Sequence, residues 1–425
     1  MESFIIKGGQ TLSGTVRPAG NKNGALPILA AALLADAPVT LHNVPRIRDV
    51  ATMLDLVAST GVEIDDLGDN SLRIDPSGIC DVRLDPVLCT RIRASVLLVA
   101  PLVARVGRCV LPPPGGDVIG RRRLDSHLLA FRSLGAEVAV NRDVTITAGQ
   151  LAGCPIFLDE ASVTATENAI TAAVLARGRT VIGNAACEPH VQDLCRFLVS
   201  LGARISGVGS NRLEIEGVER LRGGEYTIGP DHIEVASFVG LAAVTGGEVV
   251  VEDVIPDDLL PVEVGFARLG ISWQIEGRRL RVPPGQELAV RDDLGAAIPK
   301  IDDGPWPQFP ADLTSIAVAV ATQARGVVLV FEKMYENRLF FVDKLVSMGA
   351  RIIVCDPHRA LVHGPTRLYG ERMESPDIRA GMALLIAALA ADGESVIGNI
   401  GQIDRGYERI DERLRLLGAS IERIA

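Results

Sequence analysis

No apolar stretch in this chain of 425 residues is long enough to cross a membrane as a helix. The two longest, ALPILAAALLA from Ala25 and SVLLVAPLVA from Ser95, fall short of the roughly 20 residues a span needs, so no membrane partner is expected. Positive charge is also in deficit. Against 53 Asp and Glu stand 43 Lys and Arg, giving a net charge of -10 and a pI near 5.3. That balance argues against a nucleic-acid coat, whose binding is driven by basic surface, and leaves room only for a local basic cluster. Cysteine is short of pairs: the seven (Cys80, Cys89, Cys109, Cys154, Cys187, Cys195, Cys355) are odd in number and form no C-x-x-C. Scattered thiols of this kind suit a reducing compartment better than a disulfide frame or a zinc site, so no metal is expected. The opening MESFIIKGGQ has an acid at position 2 and lacks the apolar run of a secretory signal, which points to the cytoplasm.

What is present is an ordinary folded composition, 48% hydrophobic and 23% charged, on a length that suits two or three domains. A leucine-rich helix end, a glycine and a strand are written six times, as LVASTGVEI, FRSLGAEVAV, FLVSLGARISG, FARLGISWQI, LVSMGARIIV and LRLLGASIERI. Their glycines are Gly61, Gly135, Gly202, Gly270, Gly349 and Gly418, spaced 67 to 79 residues apart. Alanine-rich apolar helices followed by a polar turn and a strand recur at the same period, as in AAALLADAPVTLHNVP and IAALAADGESVIGNIG. Units of about 70 residues are small α+β subdomains rather than solenoid repeats, and six of them make two domains of three. The widest interval holds PKIDDGPWPQFPADL, Pro299 to Leu313, which reads as a long special loop.

Chemistry collects at a few places. Three prolines and two glycines in PPPGGDVIGRRR, Pro112 to Arg123, exclude a helix or central strand, so Asp117 is expected on an exposed, adjustable loop. Lys22 sits in a glycine-flanked turn that opens a helix, where free N–H groups and a lysine make an anion site, or simply a capped helix start. Arg93, Arg122, Arg338, Arg379 and Arg405 occupy related places in different repeats beside the alanine-rich helices, where charge is otherwise absent. Taken singly each is a solvated arginine; converging, they would bind a small, multiply charged anion. Asp117, Glu188, Asp231, Asp312 and Asp377 accompany them, a mixture suited to proton transfer on an anion, although Asp231 and Asp377 fit structural ion pairs equally well.

These motifs together resemble the enolpyruvyl transferases over essentially the whole chain, from GNKNGALPILAAALL through LPPPGGDVIGRRRLDSH, SVTATENAI, NAACEPHVQDL, FPADLTS, YENRLFFV and DIRAG to IDRGYERI. The resemblance implies an α/β fold, an inside-out α/β barrel of two domains with three repeats each: residues 22–229, and residues 1–21 with 230–425, the active site lying in the cleft between them. It implies transfer of the enolpyruvyl group of phosphoenolpyruvate to the 3-hydroxyl of UDP-N-acetylglucosamine with release of phosphate, the first committed step of peptidoglycan precursor synthesis, without a cofactor. By motif, Lys22, Arg122 and Arg405 would hold the phosphate, and Arg338, Arg379 and Arg405 the carboxylate. Arg93 matches a further active-site arginine. Asn23, Asp312 and Met334 would meet the sugar nucleotide, as would Arg122 to Asp125 (with Arg123 and Leu124) and Ser162, Val163 and Thr164. Asp312 matches the base proposed at the attacking hydroxyl. Asp117 matches the general acid of a mobile lid where most members carry cysteine, the residue alkylated by the epoxide fosfomycin, so insensitivity to that compound is expected.

Departures fall mainly on the acceptor side: Thr164 replaces a usual glycine, Arg123 a proline, Cys187 and His232 arginines, and Gln402 a histidine. An enolpyruvyl transferase for another nucleotide or UDP-sugar is therefore the runner-up, with shikimate 3-phosphate more distant. A non-catalytic UDP-sugar-binding paralogue is the third reading.

Overall fold

The six repeat glycines each stop a helix by taking the left-handed conformation, with φ between 84° and 110° in the computed structural model, where a side chain would be strained. A strand follows every one of them, from Glu63–Gly68 to Ser420–Ile424. The model describes residues 2–80, 82–117 and 119–424. They divide into two compact units, one of Gly20–Asp117 with Arg122–Gly229, the other of the residues up to Ala19, a short stretch ending at Arg121, and the chain from Pro230 on.

In the first unit the alanine-rich segments form α1 (Lys22–Ala31), α2 (Val99–Val106) and α3 (Val163–Ala173). In the second they form α4 (His232–Thr245), α5 (Thr314–Ala321) and α6 (Ile378–Ala390). Being apolar on nearly every side, these helices lie inside their units. Small residues let them approach closely: a Cβ on Gly240 of α4 would stand 3.1 Å from both Ile316 and Val320 of α5. The leucine-rich helices are amphipathic instead. In Arg48–Ala58 only Asp49, Val50, Met53, Leu56 and Val57 are buried, the spacing of one face.

Each repeat adds a small sheet. In the first unit, Gly224–Thr227, Val39–His42, Ser71–Asp75 and Glu63–Gly68 lie side by side, so the end of the third repeat completes the sheet of the first. The second unit recruits the N-terminus twice: Ser3–Lys7 pairs with Glu394–Gly398 and Ser420–Ile424, and Gly14–Val16 pairs with Val249–Val251. The stretch Pro299 to Leu313 is not a free loop. Its Lys300–Asp302 is an edge strand parallel to Gly326–Phe331, and Ala311–Leu313 is a turn of 3-10 helix leading into α5. No helix of the described residues is long and apolar enough to cross a membrane.

Candidate active site

In the first unit the site begins at the N-terminus of α1. The Asn21 side chain caps it, accepting from Gly24 N at 3.0 Å, and Lys22 is its first residue. The lysine is buried, with Nζ 2.9 Å from Asp49 Oδ2. Nothing in the local sequence marks Asp49 as its partner, because it looks like any first-turn acid of an amphipathic helix. Asn23 follows on α1, half-buried.

The proline–glycine loop is held against the same unit. Gly115 N donates to the Cys89 carbonyl at 2.9 Å, and a Cβ on Gly116 would stand 2.8 Å from Arg93 Cβ and 3.3 Å from Arg122 Nη1. Asp117, expected to be exposed, is half-buried, and the two arginines lie against Gly116 just before it. Sequence composition reports that the loop cannot be helical but not what it lies against. Arg93 Nη2 donates to the carbonyls of Arg122 (2.7 Å) and Arg123 (3.0 Å) and so pins the arginine run. Arg123 bonds Asp125 and Asp159, each at 3.1 Å. Leu124 packs toward the core and caps the helix Asp125–Ser133 without a side-chain bond.

Ser162 caps α3, and Val163 and Thr164 are its first residues. Behind them lies a buried polar chain that motif reading missed. Asn168 Nδ2 donates to the Val96 carbonyl (3.0 Å) and to His127 Nδ1 (2.8 Å), so His127 carries its proton on Nε2 and donates it to Thr164 Oγ1 at 3.2 Å. Burial, then the fields of Arg93 and Arg122, push the His127 pKa down to about 3, so the ring is neutral. The hydroxyl that replaces the usual glycine at 164 is thus integrated into its surroundings.

In the second unit Asp312, Arg338 and Arg379 meet. Asp312 Oδ1 accepts from Arg338 Nη2 at 2.9 Å, and Oδ2 accepts from Arg379 Nε at 3.1 Å, with Arg379 Nη2 3.0 Å away. Both guanidiniums are buried. Burial, the largest influence, would lower their pKa values, but Asp312 together with Glu332 and Asp377 around Arg338, and with Tyr407 and Asp231 around Arg379, outweighs it and both are raised, so the site keeps two fixed positive charges. Tyr335 lies under Arg338 and Tyr407 under Arg379, with ring centroids 5.2 and 5.4 Å from the guanidinium carbons. Arg405 is half-buried, and its Nη1 donates to Gln402 Oε1 at 2.9 Å. Asp231 and Asp377 prove to be helix caps: Asp231 accepts from Ile233 N and Glu234 N, and Asp377 from Arg379 N and Ala380 N. His232 is buried, its ring 6.1 Å from that of Trp306 and edge-on to it.

Two acids escaped motif reading. Glu332 follows strand Gly326–Phe331 and is buried 3.6 Å from Arg338 Nε. Its pKa is raised to about 9, by burial first and by Asp303 next, against the pull of Arg338. Asp303, also buried, follows strand Lys300–Asp302. Met334 is partly exposed, and its N–H bonds Glu332 Oε1. The only signal in the sequence is an acid placed directly after an apolar strand.

A solved structure, the enolpyruvyl transferase NikO from Streptomyces tendae, superimposes with a TM-score of 0.88 at 26% identity, covering 99% of this chain and 98% of that one. The six-repeat α/β architecture is that of the enolpyruvyl transferases. The family model for EPSP synthase (3-phosphoshikimate 1-carboxyvinyltransferase) matches residues 6–414, and the chain belongs to that family. Among its relatives, proteins named UDP-N-acetylglucosamine 1-carboxyvinyltransferase are 56% identical in Bradyrhizobium diazoefficiens and 54% identical in Treponema denticola. Each alignment covers 99% of this chain, and 98% and 99% of the respective relative.

Proposed function

We propose that this protein is an enzyme that transfers the enolpyruvyl group of phosphoenolpyruvate to the 3-hydroxyl of UDP-N-acetylglucosamine and releases phosphate, committing the sugar nucleotide to peptidoglycan synthesis in the cytoplasm. The observation that carries this reading is Asp312 held by the forks of both Arg338 and Arg379. A carboxylate bound so well shows what those guanidiniums prefer, and the donor brings a carboxylate of its own. While both arginines hold Asp312 it is a poor base. A donor carboxylate that takes their place frees Asp312 to accept the proton of the attacking hydroxyl, so donor binding and base activation are one event. Lys22, Arg122 and Arg405 take the phosphate, Arg93 supports the Arg122 segment, and Asp117 protonates the methylene carbon. Asn23, Arg123, Leu124, Asp125, Ser162, Val163, Thr164 and Met334 serve the sugar nucleotide.

Phosphate release on mixing the protein with both substrates tests the assignment. Turnover is expected to persist in a chelator, because lysine and arginine supply the positive charge the donor requires. Release with a different nucleotide sugar, and none with UDP-N-acetylglucosamine, would move the acceptor. Arg405→Ala is expected to raise the KM for phosphoenolpyruvate about 10- to 100-fold, the worth of a charge-assisted hydrogen bond. An unchanged KM would remove Arg405 from donor binding.

A further inference from the structure

Asp303 and Glu332 sit side by side because the parallel strands before them are in register, Asp302 opposite Phe331. Both side chains are closed to solvent, at 1% and 0% exposure. Each spends one oxygen on the same turn. Asp303 Oδ1 accepts from Lys333 N, and Glu332 Oε1 from Met334 N (3.2 Å) and Tyr335 N (3.1 Å). Three successive N–H groups of the turn that delivers Arg338 are thereby fixed. The other two oxygens, Asp303 Oδ2 and Glu332 Oε2, have no hydrogen-bond partner among the described residues, and neither has Arg338 Nε. Two ionised carboxylates touching in a dry interior would repel strongly, and each would leave an oxygen unsatisfied. One proton held between them removes both costs.

We propose that Asp303 and Glu332 share one proton and act as a positioning pair, fixing the turn that carries Arg338 while adding only one negative charge behind its guanidinium. The proposal deepens the function given above and rests on it for its kinetic consequence. Of the groups around the pair, Arg338 and the Thr314 hydroxyl act on Glu332 directly; Asp312, Asp377 at the start of α6 and Tyr335 act on Arg338, Lys333 pairs with Asp302, and His358 bonds the Glu332 carbonyl. With the proton in place, Arg338 and Arg379 keep enough net charge to hold a donor anion. Its loss at alkaline pH adds a second negative charge at 3.6 Å from Arg338 and weakens that hold.

The expected result is a KM for phosphoenolpyruvate that rises at alkaline pH, by up to about tenfold per pH unit, while kcat stays level. Glu332→Gln should abolish the rise, since its amide proton cannot leave. Glu332→Ala should raise KM about tenfold at every pH, and glutamine should recover most of that loss. Glutamine as damaging as alanine, or an alkaline rise that survives in Glu332→Gln, would overturn the proposal. Infrared difference spectra read the same proton without substrate. A protonated-carboxyl stretch present at neutral pH and lost in both Glu332→Gln and Asp303→Asn is expected, and its absence from the parent protein overturns the shared proton. A parent protein that shows this band yet never turns over phosphoenolpyruvate would count against the functional reading and leave the pair standing.

Discussion

Asp312→Asn is expected to slow turnover by about 10²- to 10⁴-fold, the usual contribution of a positioned base, while phosphoenolpyruvate binds at least as tightly as before. Asparagine keeps the shape of the side chain and can still accept a hydrogen bond through its carbonyl, but it cannot take a proton at neutral pH. In the unsubstituted protein Asp312 occupies Arg338 Nη2 and the Nε edge of Arg379, so any incoming carboxylate must displace it. Removing its charge removes the competitor. The same change leaves two buried guanidiniums with less compensation, so some loss of thermal stability should accompany the kinetic effect. Calorimetric titration of the donor, run beside steady-state kinetics, separates these terms. Loss of stability with an unchanged kcat would make Asp312 a counter-ion only, and loss of donor affinity would contradict the rivalry between the two carboxylates.

How far this was legible in the sequence depended on whether the signal was local. The repeat glycines and alanine-rich helices were, because a left-handed helix end and an all-round apolar helix are properties of a few consecutive residues. Closure of the sheets was not, since Ser3–Lys7 finds Ser420–Ile424 from the opposite end of the chain. The arginines stood out as charge in an apolar setting, and Arg338 and Arg379 do converge on Asp312. Their supports stayed hidden. Asp49 reaches Lys22 only through the packing of two helices, and Asp303 reaches Glu332 only through the register of two strands. Asp117 shows the opposite failing, for a loop rich in proline and glycine suggests exposure, yet Arg93 lies against the preceding Gly116 and Asp117 is half-buried.

The enzyme is expected to be insensitive to fosfomycin, and Asp117→Cys to make it sensitive without abolishing turnover. Opening an epoxide at neutral pH calls for a strong nucleophile; a thiolate is one and a carboxylate is a poor substitute. The surroundings favour the thiolate, because the backbone before Asp117 lies against Arg93 and Arg122, and neighbouring guanidiniums lower the pKa of a thiol. No native cysteine can take over. Cys89 touches the loop, its carbonyl bound by Gly115, but its thiol is buried and its pKa is pushed up to about 11 by burial. Cys80 and Cys355 are exposed but stand outside the loop, so their alkylation should leave turnover intact. Incubation with the epoxide, followed by activity measurement and peptide mass mapping, decides the matter. Time-dependent inactivation of the unsubstituted protein would end the expectation of insensitivity. An Asp117→Cys protein that is labelled stoichiometrically at position 117 and stays active would show that this loop does not close on the reaction, and would take the role of proton donor away from Asp117.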